Sequence, residues 1–411
     1  MTLPASINRA RLLDRIERLA AVNRLDDSSC CRLALTDADR EGRDLVVGWM
    51  KDAGLHVQID RIGNIIGVRS DGADAAPVMT GSHIDTVATG GRFDGAYGVI
   101  AGIEALQTLH EAGVATHRGL AVAAFTNEEG ARFQPDMMGS LVYAGGLSLS
   151  SALASTADDG ATLGQELERI GYAGTLACGA IRPHAYVELH IEQGPVLDRE
   201  GGTLGAVQDL QGISWQELTI RGVSNHAGTT PMRLRHDAGY CAARVAVFVR
   251  ELAQRFGGSQ VATVGRIQLK PNLVNVIARE ARLTVDLRNT NDELLDEAEA
   301  QLARFLQELT SSEGVTVETR RLARTPAVRF DERVVQIIED VAAQMGHADI
   351  RRMTSGAGHD AQMMARICPA AMIFVPSIRG ISHNPAELTE PDHLELGANL
   401  LTRVIERIAS E

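Results

Sequence analysis

Five segments of this sequence place histidines or acidic residues where apolar, strand-like stretches end. Nitrogen and oxygen side chains of this kind can bind divalent metal ions or move protons. In open α/β sheets, ligand sites gather at the carboxyl ends of the strands, so we expect the five segments to form one site. Their chemistry-bearing residues are His83, Asp94, Glu128, Glu129, His190 and His383.

The first two segments supply a histidine and two aspartates. His83 precedes Asp85 by two positions in PVMTGSHIDT. A metal-binding imidazole usually needs an oxygen acceptor at its other nitrogen, and Asp85 can orient His83 in this way; the alternative is a solvated loop. Asp94 lies among glycines in GGRFDGAYG, which lets the backbone pack closely. A phosphate-binding loop is disfavoured there, because the chain has no G-x-G-x-x-G sequence and no Walker lysine.

Glu128 and Glu129 follow the apolar run GLAVAAF at 119–125. Two adjacent glutamates at the end of a buried strand are costly unless something compensates their charge. Neighbouring side chains face different ways, so one can ligate a metal ion while the other takes a proton from water. The alternative is a helix N-terminus whose dipole the two acids stabilise.

The last two segments add His190 in VELHIEQGP and His383 in GISHNPAE. Either could be a structural histidine when considered alone. Together with His83, Asp94 and Glu129 they form a donor set of nitrogen and oxygen without thiolate, which suits Zn²⁺, Mn²⁺, Co²⁺ or Ni²⁺. One carboxylate can bridge two such ions about 3.5–4 Å apart.

The elements that must position these residues fall into two patterns. Residues 1–211 and 326–411 alternate buried, apolar strands with helices, which predicts an α/β fold with a doubly wound, mostly parallel sheet. Residues 212–325 follow the order strand, helix, strands, helix, strand, and the strands have one polar face. We therefore predict a catalytic domain of residues 1–211 and 326–411 with an inserted α+β, ferredoxin-like domain of residues 212–325.

Periodicity predicts helices at 7–22, 40–53, 98–112, 238–256, 292–309, 331–345 and 391–409. It predicts strands at 56–60, 65–69, 77–80, 119–125, 186–191, 214–221, 261–269, 281–288, 316–321 and 370–376.

Composition excludes several classes of partner. The 411 residues carry a net charge of −13, which disfavours nucleic acid and anionic lipid as partners. No stretch of about 18 apolar residues predicts a transmembrane helix, and the first residues do not resemble a signal peptide. Five scattered cysteines favour a reducing, cytoplasmic location over a disulfide framework.

Seven segments carry a resemblance to the M20-type metallohydrolases and, within them, to the amidases of the hydantoinase/carbamoylase group. Their order spans nearly the whole chain, and the histidine of HIEQGP matches the amidases where related peptidases have an acid. The segments are GSHIDTV, GGRFDGAYG, FTNEEGARF, HIEQGPVL, SNHAGTTPM, SGAGHDAQMMA and ISHNPAE.

The resemblance implies two divalent metal ions, either zinc or manganese, cobalt or nickel. Asp94 would bridge the two ions. His83 and His190 would complete one ligand set, and Glu129 and His383 would complete the other.

The resemblance also implies catalytic and substrate-binding roles. Glu128 would be the general base, Asp85 would orient His83, and His226 of SNHAGTTPM would stabilise the oxyanion from the inserted lid and dimerisation domain. Arg288 could grip a carboxylate bidentately or merely pair with an acid, and Asn275 lies in NLVNVIA, an apolar strand where an amide needs a partner. The implied substrate contacts are Gln193, Asn275, Arg288, Gly356, Ala357 and Gly358, with Asn275 and Arg288 reached from the partner subunit of a homodimer.

The implied activity is hydrolysis of N-carbamoyl-L-amino acids, which are small ureido acids, to the amino acid, carbon dioxide and ammonia. An allantoate or ureidoglycolate amidohydrolase is the first alternative. A peptidase is disfavoured by His190, and a nucleotide-binding dehydrogenase is disfavoured by the missing glycine fingerprint. A non-catalytic dimeric binding protein on the same scaffold is disfavoured because no ligand position is missing.

Overall fold

The computed structural model describes residues 6–25, 29–69 and 75–411, which form two compact units. The first unit comprises Met1–Gln208 and Phe330–Glu411, and the second comprises Asp209–Arg329. Among the helices described, none has the length and apolar character that crossing a membrane requires.

The described chain contains helices and strands in alternation, together with two short 3₁₀ turns. The helices are α1 (Arg9–Ala20), α2 (Asp37–Asp52), α3 (Ala96–Glu111), α4 (Met138–Tyr143), α5 (Leu149–Leu153), α6 (Leu163–Ile170), α7 (Val196–Glu200), α8 (Ala238–Phe256), α9 (Asp292–Glu313), α10 (Glu332–Gln344), α11 (Asp360–Met364) and α12 (Pro391–Ser410). The strands are β1 (His56–Ile59), β2 (Ile65–Arg69), β3 (Val78–His83), β4 (Leu120–Phe125), β5 (Ala185–Ile191), β6 (Gly205–Leu210), β7 (Gly212–Arg221), β8 (Val261–Lys270), β9 (Glu280–Asn289), β10 (Thr316–Thr325), β11 (Val328–Arg329), β12 (Arg351–Ser355) and β13 (Ala370–Val375).

A nine-stranded sheet has the order β1-β2-β4-β3-β5-β13-β6-β11, and β12 also pairs with β6. Its four central strands, β4, β3, β5 and β13, run parallel and are buried along their whole length. Strands on both sides of this centre pair antiparallel. The predicted α/β fold with a mostly parallel central sheet is therefore confirmed, with antiparallel flanks that the sequence patterns do not predict.

Helix α3 packs on the central strands through glycines, because larger side chains would meet neighbouring atoms. A Cβ atom at Gly98 would lie 2.4 Å from the carbonyl oxygen of Leu189 in β5, and one at Gly102 would lie 2.8 Å from a methyl group of Val122 in β4. This close approach fixes the first turn of α3 against the sheet. The glycine-rich segment that carries Asp94 is thereby held next to the carboxyl ends of the parallel strands.

Helix α1 is attached to α3 by a buried ionic contact. The fully buried carboxylate of Glu104 accepts hydrogen bonds from Nε of Arg11 at 2.6 Å and from Nη1 of Arg15 at 3.3 Å. A buried carboxylate is tolerated when charged donors satisfy its oxygens, as they do here. The contact stabilises the packing of two helices without involving any residue predicted to act in chemistry.

The second unit contains a four-stranded antiparallel sheet of order β10-β7-β9-β8. Helices α8 and α9 share one apolar core with β7 and β9, so both helices cover the same face of the sheet. The sequence β7-α8-β8-β9-α9-β10 with this strand order is a ferredoxin-like βαββαβ arrangement.

The helices and strands predicted from periodicity are present in the structure, whereas helices α4 to α7 and strands β6, β11 and β12 were not predicted. Helix α2 begins at Asp37, earlier than expected, because the side chain of Thr36 accepts a hydrogen bond from the amide of Asp39 and caps the helix. Helices α4 to α7 and α11 span at most eight residues, which is too few turns to reveal a period.

The glycine contact of α3 makes a paired stability prediction. Gly98→Ala should lower the free energy of unfolding by about 1–3 kcal/mol, because its Cβ atom would press on the β5 backbone. Gly48→Ala should instead raise it by roughly 0.5–1 kcal/mol, since no atom lies within 4 Å of a Cβ there and alanine favours the helix. Guanidinium unfolding of both variants measures the two shifts, and shifts of the same sign would contradict the close approach.

Candidate active site

The predicted site residues of the first unit meet at the carboxyl ends of the four parallel strands. His83 is the last residue of β3, His190 lies near the end of β5, and the other residues lie in loops that follow β4 and β13 or precede α3. Among the described residues, three groups of possible metal ligands have their donor atoms within 4.8 Å of one another. Two of them share Asp94 and are His83, Asp94 and His190, and Asp94, Glu129 and His383; the third is Glu188, His190 and His359.

Asp94 belongs to both groups and turns one oxygen towards each. Its Oδ1 lies 3.2 Å from Nε2 of His190 and 3.7 Å from Nε2 of His83. Its Oδ2 lies 3.1 Å from Nε2 of His383, which is 3.4 Å from Oε2 of Glu129. A carboxylate with its two oxygens in different donor groups has the arrangement of a bridging ligand.

Backbone acceptors fix the orientation of the two buried imidazoles. Nδ1 of His190 lies 2.9 Å from the carbonyl oxygen of Ile191, and Nδ1 of His83 lies 2.9 Å from that of Asp85. A carbonyl can only accept, so the proton is assigned to Nδ1 in both rings. Nε2 of each ring then carries a lone pair on the side of Asp94, where a metal ligand needs it, and in this structure Nε2 of His190 accepts a hydrogen bond from the amide of Gly95 at 3.0 Å.

Asp85 contacts His83 differently from the sequence-based expectation. Its backbone oxygen, rather than its carboxylate, meets the imidazole, and the carboxylate Oδ1 is 4.0 Å from Nδ1 of His83. The carboxylate instead accepts hydrogen bonds at 3.2 Å from the amides of Glu128 and Glu129. Asp85 therefore joins the histidine of β3 to the two glutamates that follow β4.

The loop after β4 separates the two adjacent glutamates. Asn127 adopts a left-handed backbone with φ of 55°, and the loop turns sharply there. Oε2 of Glu128 lies 3.4 Å from Nε2 of His83, whereas Glu129 approaches His383. The prediction that the two side chains face different ways agrees with this geometry.

Asn64 and Arg43 hold the start of the same loop through Thr126. The sequence analysis did not predict a role for either residue. The amide of Thr126 donates to Oδ1 of Asn64 at 3.0 Å, and Nη2 of Arg43 donates to the Thr126 hydroxyl at 3.2 Å. Both residues are distant in sequence from the glutamates, so no local spacing reveals their contribution.

The acidic side chains of the site repel one another, and burial strengthens the effect. Burial, together with neighbouring acids that include Asp360 and Glu129, raises the pKa of Glu128 well above its usual value. Burial also raises the pKa of Glu129 to about 9 and that of Asp85 to about 7. Such an excess of buried acid fits a site that a cation neutralises.

Asp94 behaves in the opposite way. Burial alone would raise its pKa, but the neighbouring imidazoles of His190, His383 and His83 hold the pKa of Asp94 well below its usual value. The site thus combines the carboxylate of Asp94, whose pKa is lowered, with three imidazoles and a second carboxylate. These donors fit two divalent ions of the zinc or manganese type.

Gln193 stands beside the bridging carboxylate. Its backbone has φ of 55°, and its amide nitrogen donates to the Ser377 hydroxyl at 3.0 Å. The side-chain Nε2 lies 2.8 Å from Oδ2 of Asp94, while Oε1 is buried and makes no hydrogen bond within the described chain. A buried acceptor of this kind fits a ligand that brings an N–H group.

The predicted segment Gly356–Gly358 lies between β12 and α11. Ala357 and Gly358 line the same cleft as the metal-type residues. The amide of Ala357 donates to the hydroxyl of Ser355 at 3.2 Å, so this amide already has a protein acceptor.

Asp136 and His359 also line the cleft, although no role for them was predicted. Burial lowers the pKa of His359 well below its usual value, so its ring is neutral; Nε2 lies 3.0 Å from the Ser355 hydroxyl. His359 was visible in the SGAGHDAQMMA segment, whereas Asp136 follows Pro135 in a loop without any recognisable pattern.

His226 lies in the second unit, in a loop after β7. Its Nδ1 accepts hydrogen bonds from the amides of Gly228 at 3.0 Å and Thr229 at 3.2 Å. An acceptor Nδ1 leaves the ring proton on Nε2. His226 is therefore arranged as a hydrogen-bond donor on an exposed loop.

The expectation for the surroundings of Asn275 was wrong. Residues 271–277 form an irregular turn instead of an apolar strand, and Asn275 is exposed. Leu273 and Val274 of NLVNVIA are exposed, whereas Ile277 and Ala278 at its end are buried. The backbone oxygen of Asn275 accepts a hydrogen bond at 2.9 Å from Ala227, next to His226.

Arg288 of β9 makes the acid pairing that was its structural alternative. Its Nη2 lies 2.8 Å and its Nε 3.1 Å from Oδ2 of Asp286, on the same strand. The guanidinium is thereby held in a fixed direction, which leaves the predicted substrate role as a matter for experiment.

Comparisons with known proteins agree with the geometry of this site. Residues 79–407 match Peptidase family M20/M25/M40. The chain is 37% identical over 400 residues to an N-carbamoyl-L-amino-acid amidohydrolase of Rhizobium meliloti, which covers 97% of this chain and 96% of that protein. It is 39% identical over 405 residues to an N-carbamoyl-L-amino acid amidohydrolase of Geobacillus stearothermophilus, with 97% and 98% covered.

The fold of a solved structure is similar along its whole length. An amidase of the hydantoinase/carbamoylase family from Burkholderia multivorans has a TM-score of 0.97 and 41% sequence identity, with 100% of both chains covered. Since the family match and these identities extend over most of the sequence, this chain belongs to the M20-type metallohydrolases, within the hydantoinase/carbamoylase amidases, and is a hydrolase of C–N bonds.

Proposed function

We propose that this chain hydrolyses the ureido C–N bond of N-carbamoyl-L-amino acids to the free amino acid, carbon dioxide and ammonia. The observation that carries the proposal is the position of Asp94 between two donor groups, with Glu128 beside them. The names of the Rhizobium meliloti and Geobacillus stearothermophilus relatives support this class of substrate.

Two divalent ions, zinc or else manganese, cobalt or nickel, are the proposed cofactors. His83 and His190 would hold one ion, Glu129 and His383 would hold the other, and Asp94 would contact both. When bound, such ions lower the pKa of a water molecule and polarise the carbonyl group under attack.

Glu128 is the proposed general base. Its Oε2 lies 3.4 Å from Nε2 of His83, yet neither three-residue donor group needs it. The raised pKa of Glu128, caused first by burial, makes its carboxylate a stronger base than an exposed glutamate. It would take a proton from the attacking water and return it to the leaving nitrogen, while Asp85 holds its backbone in place.

Gln193 is the proposed contact to the ureido group. Its buried Oε1 makes no hydrogen bond within the described chain and could accept one from a ureido N–H. Gly356, Ala357 and Gly358 would form a further side of the substrate pocket, since two of them line the cleft.

His226 is the proposed oxyanion donor. The amides of Gly228 and Thr229 bond to Nδ1 and so direct its proton to Nε2, which can donate to a developing negative charge. One well-placed donor of this kind contributes about 3–4 kcal/mol to stabilisation of the transition state.

A homodimer is the proposed assembly, formed through the inserted lid and dimerisation domain of residues 212–325. The catalytic domain would comprise residues 1–211 and 326–411. In this proposal, Asn275 and Arg288 bind the substrate carboxylate of the partner subunit's site. Large apolar side chains exposed on the second unit support an interface there. They include Met232, Leu234, Leu273 and Val274.

A cytoplasmic location is proposed as well. All five cysteines are unpaired in the structure, which suits a compartment that keeps thiols reduced.

Replacement of Glu128 tests the assignment of the base. Glu128→Gln should lower kcat by at least about 10²-fold, because the amide cannot accept the proton, while both ions remain bound. Glu129→Gln is the matched control, since it should lose one ion. Turnover and metal content are measured together, and near-native turnover of Glu128→Gln would remove this residue from the mechanism.

A substrate panel with metal removal tests the reaction itself. The metal-stripped protein should be inactive, and added Mn²⁺, Co²⁺ or Zn²⁺ should restore ammonia release from N-carbamoyl-L-methionine. N-carbamoyl-β-alanine and allantoate are assayed in parallel. Turnover of allantoate alone would replace the substrate but keep the chemistry, and silence on all three would refute the proposed substrate class.

Hybrid dimers test whether Arg288 acts in the partner's site. One protomer carries Glu128→Gln and the other Arg288→Ala. If Arg288 acts in the partner's site, both changes fall in the same site, and the other site keeps a native Glu128 and a native Arg288. Such hybrids should recover about half of the native activity.

A control hybrid combines Glu128→Gln with Glu129→Gln. Every site then keeps one defect in its own catalytic domain, and activity should stay absent. If the Arg288→Ala hybrid is equally inactive, Arg288 does not act across subunits.

A further inference from the structure

We propose that Glu387 is a positioning residue that sets the distance between Asp94 and His383 and thereby forms the second of the two metal-binding groups. The inference rests on the proposed metal ligands and extends them. It concerns a buried side chain that touches neither substrate nor metal, so its effect must act through the two ligands it places.

The two donor groups differ in how firmly the fold holds them. His83 and His190 lie within central strands, are almost fully buried, and bond through Nδ1 to backbone oxygens. His383 instead lies on a loop after β13, with φ of 52° and half of its side chain exposed. The position of the second group therefore depends on the contacts that attach the His383 loop to the segment that carries Asp94.

Glu387 makes that attachment. Its Oε1 accepts hydrogen bonds from the backbone amides of Phe93 at 3.0 Å and Asp94 at 3.2 Å. Its Oε2 accepts one at 2.9 Å from the hydroxyl of Ser382, the residue before His383. One carboxylate thus joins the backbone that carries the bridging ligand to the loop that carries the histidine.

Ser382 strengthens the same connection. Its hydroxyl oxygen also lies 3.2 Å from Oδ2 of Asp94, the oxygen that faces His383. Besides the direct contact of His383 with Asp94, the hydrogen bonds between residues 377–390 and residues 90–95 of the described chain come from Glu387 and Ser382. Other hydrogen bonds of the loop, such as that from the Glu387 amide to Asn384, shape the loop without attaching it to Asp94.

The glycine-rich segment makes room for the Glu387 side chain. A Cβ atom at Gly91 would lie 2.3 Å from Oε1 and 2.4 Å from Cβ of Glu387. Glu387 itself is only 3% exposed. Gly91 therefore permits the close approach of this carboxylate, and Gly95, after Asp94, permits that of His83.

Removal of this attachment should weaken one ion selectively. Loss of a residue that supports a ligand typically lowers metal affinity 10–100-fold. In Glu387→Ala, we expect the second ion to bind about 10–100-fold more weakly, because Asp94 and His383 lose their common support. The first ion should keep nearly native affinity, since strands hold His83 and His190.

The measurement is metal binding by the metal-stripped full chain, without any substrate. Zn²⁺ or Co²⁺ is titrated by equilibrium dialysis, and bound metal per chain is read by elemental analysis. Glu387→Gln keeps the shape and one acceptor oxygen, so its loss should be smaller than that of Glu387→Ala. Ser382→Ala removes one connection alone and should show the same selective loss if Glu387→Ala fails to fold.

Glu104→Gln is the control for general destabilisation. Glu104 is also a fully buried carboxylate that accepts backbone and arginine donors, but it joins α1 to α3 away from the ligands. It should lower thermal stability and leave both affinities unchanged. Equal weakening of both ions in Glu387→Ala, or none, would overturn the inference while leaving the proposed activity intact. Binding of fewer than two ions by the native chain would overturn both.

Discussion

The carboxylate of Asp94, which belongs to two groups of possible metal ligands, is the feature on which the active site depends. Its two oxygens face different histidines, at 3.2 Å for His190 and 3.1 Å for His383. The pKa values of Asp85, Glu128 and Glu129 are raised, whereas the neighbouring imidazoles keep that of Asp94 low. An ionised carboxylate in a buried position requires either cationic partners or a metal ion. The fold provides the donors for both, so the charge of Asp94 organises the atoms around it.

The fold concentrates this charge by ending four parallel strands at one edge. Parallel strands place their carboxyl ends together, and the helix after the Asp94 loop approaches the sheet closely because glycine occupies position 98. Acidic side chains that are far apart in the sequence are thereby brought close together in a buried space, where they repel one another. Native stability and metal affinity are consequently linked, since ions that bind only the folded chain also stabilise it.

The sequence predicted the candidate metal ligands of the site, but it did not predict the residues that hold those ligands in place. Histidines and acids after apolar runs could be recognised locally, because a buried strand that ends in such residues is unusual. Asn64, Arg43 and Glu387 could not, because each acts on a residue far away in the chain, and such contacts exist only after folding. The misread surroundings of Asn275 have a different cause. Leu273 and Val274 lie in a turn and face solvent, and a run of apolar residues in the sequence cannot distinguish such a turn from a buried strand.

The residues that hold the ligands also suggest why the two proposed ions would bind with unequal affinity. Strand residues are fixed by the sheet ladder and the core, so the ligands His83 and His190 lose little freedom when an ion binds. The loop that bears His383 has fewer constraints, and its exposed side chain can adjust when substrate enters. An ion at the group of His83 and His190 would have ligands fixed by strands, whereas an ion at the group of Glu129 and His383 would have a ligand on a loop. The carboxylate of Glu387 holds the loop through Ser382, so that His383 lies close to Asp94. It makes no contact that buries His383, whose side chain stays half exposed.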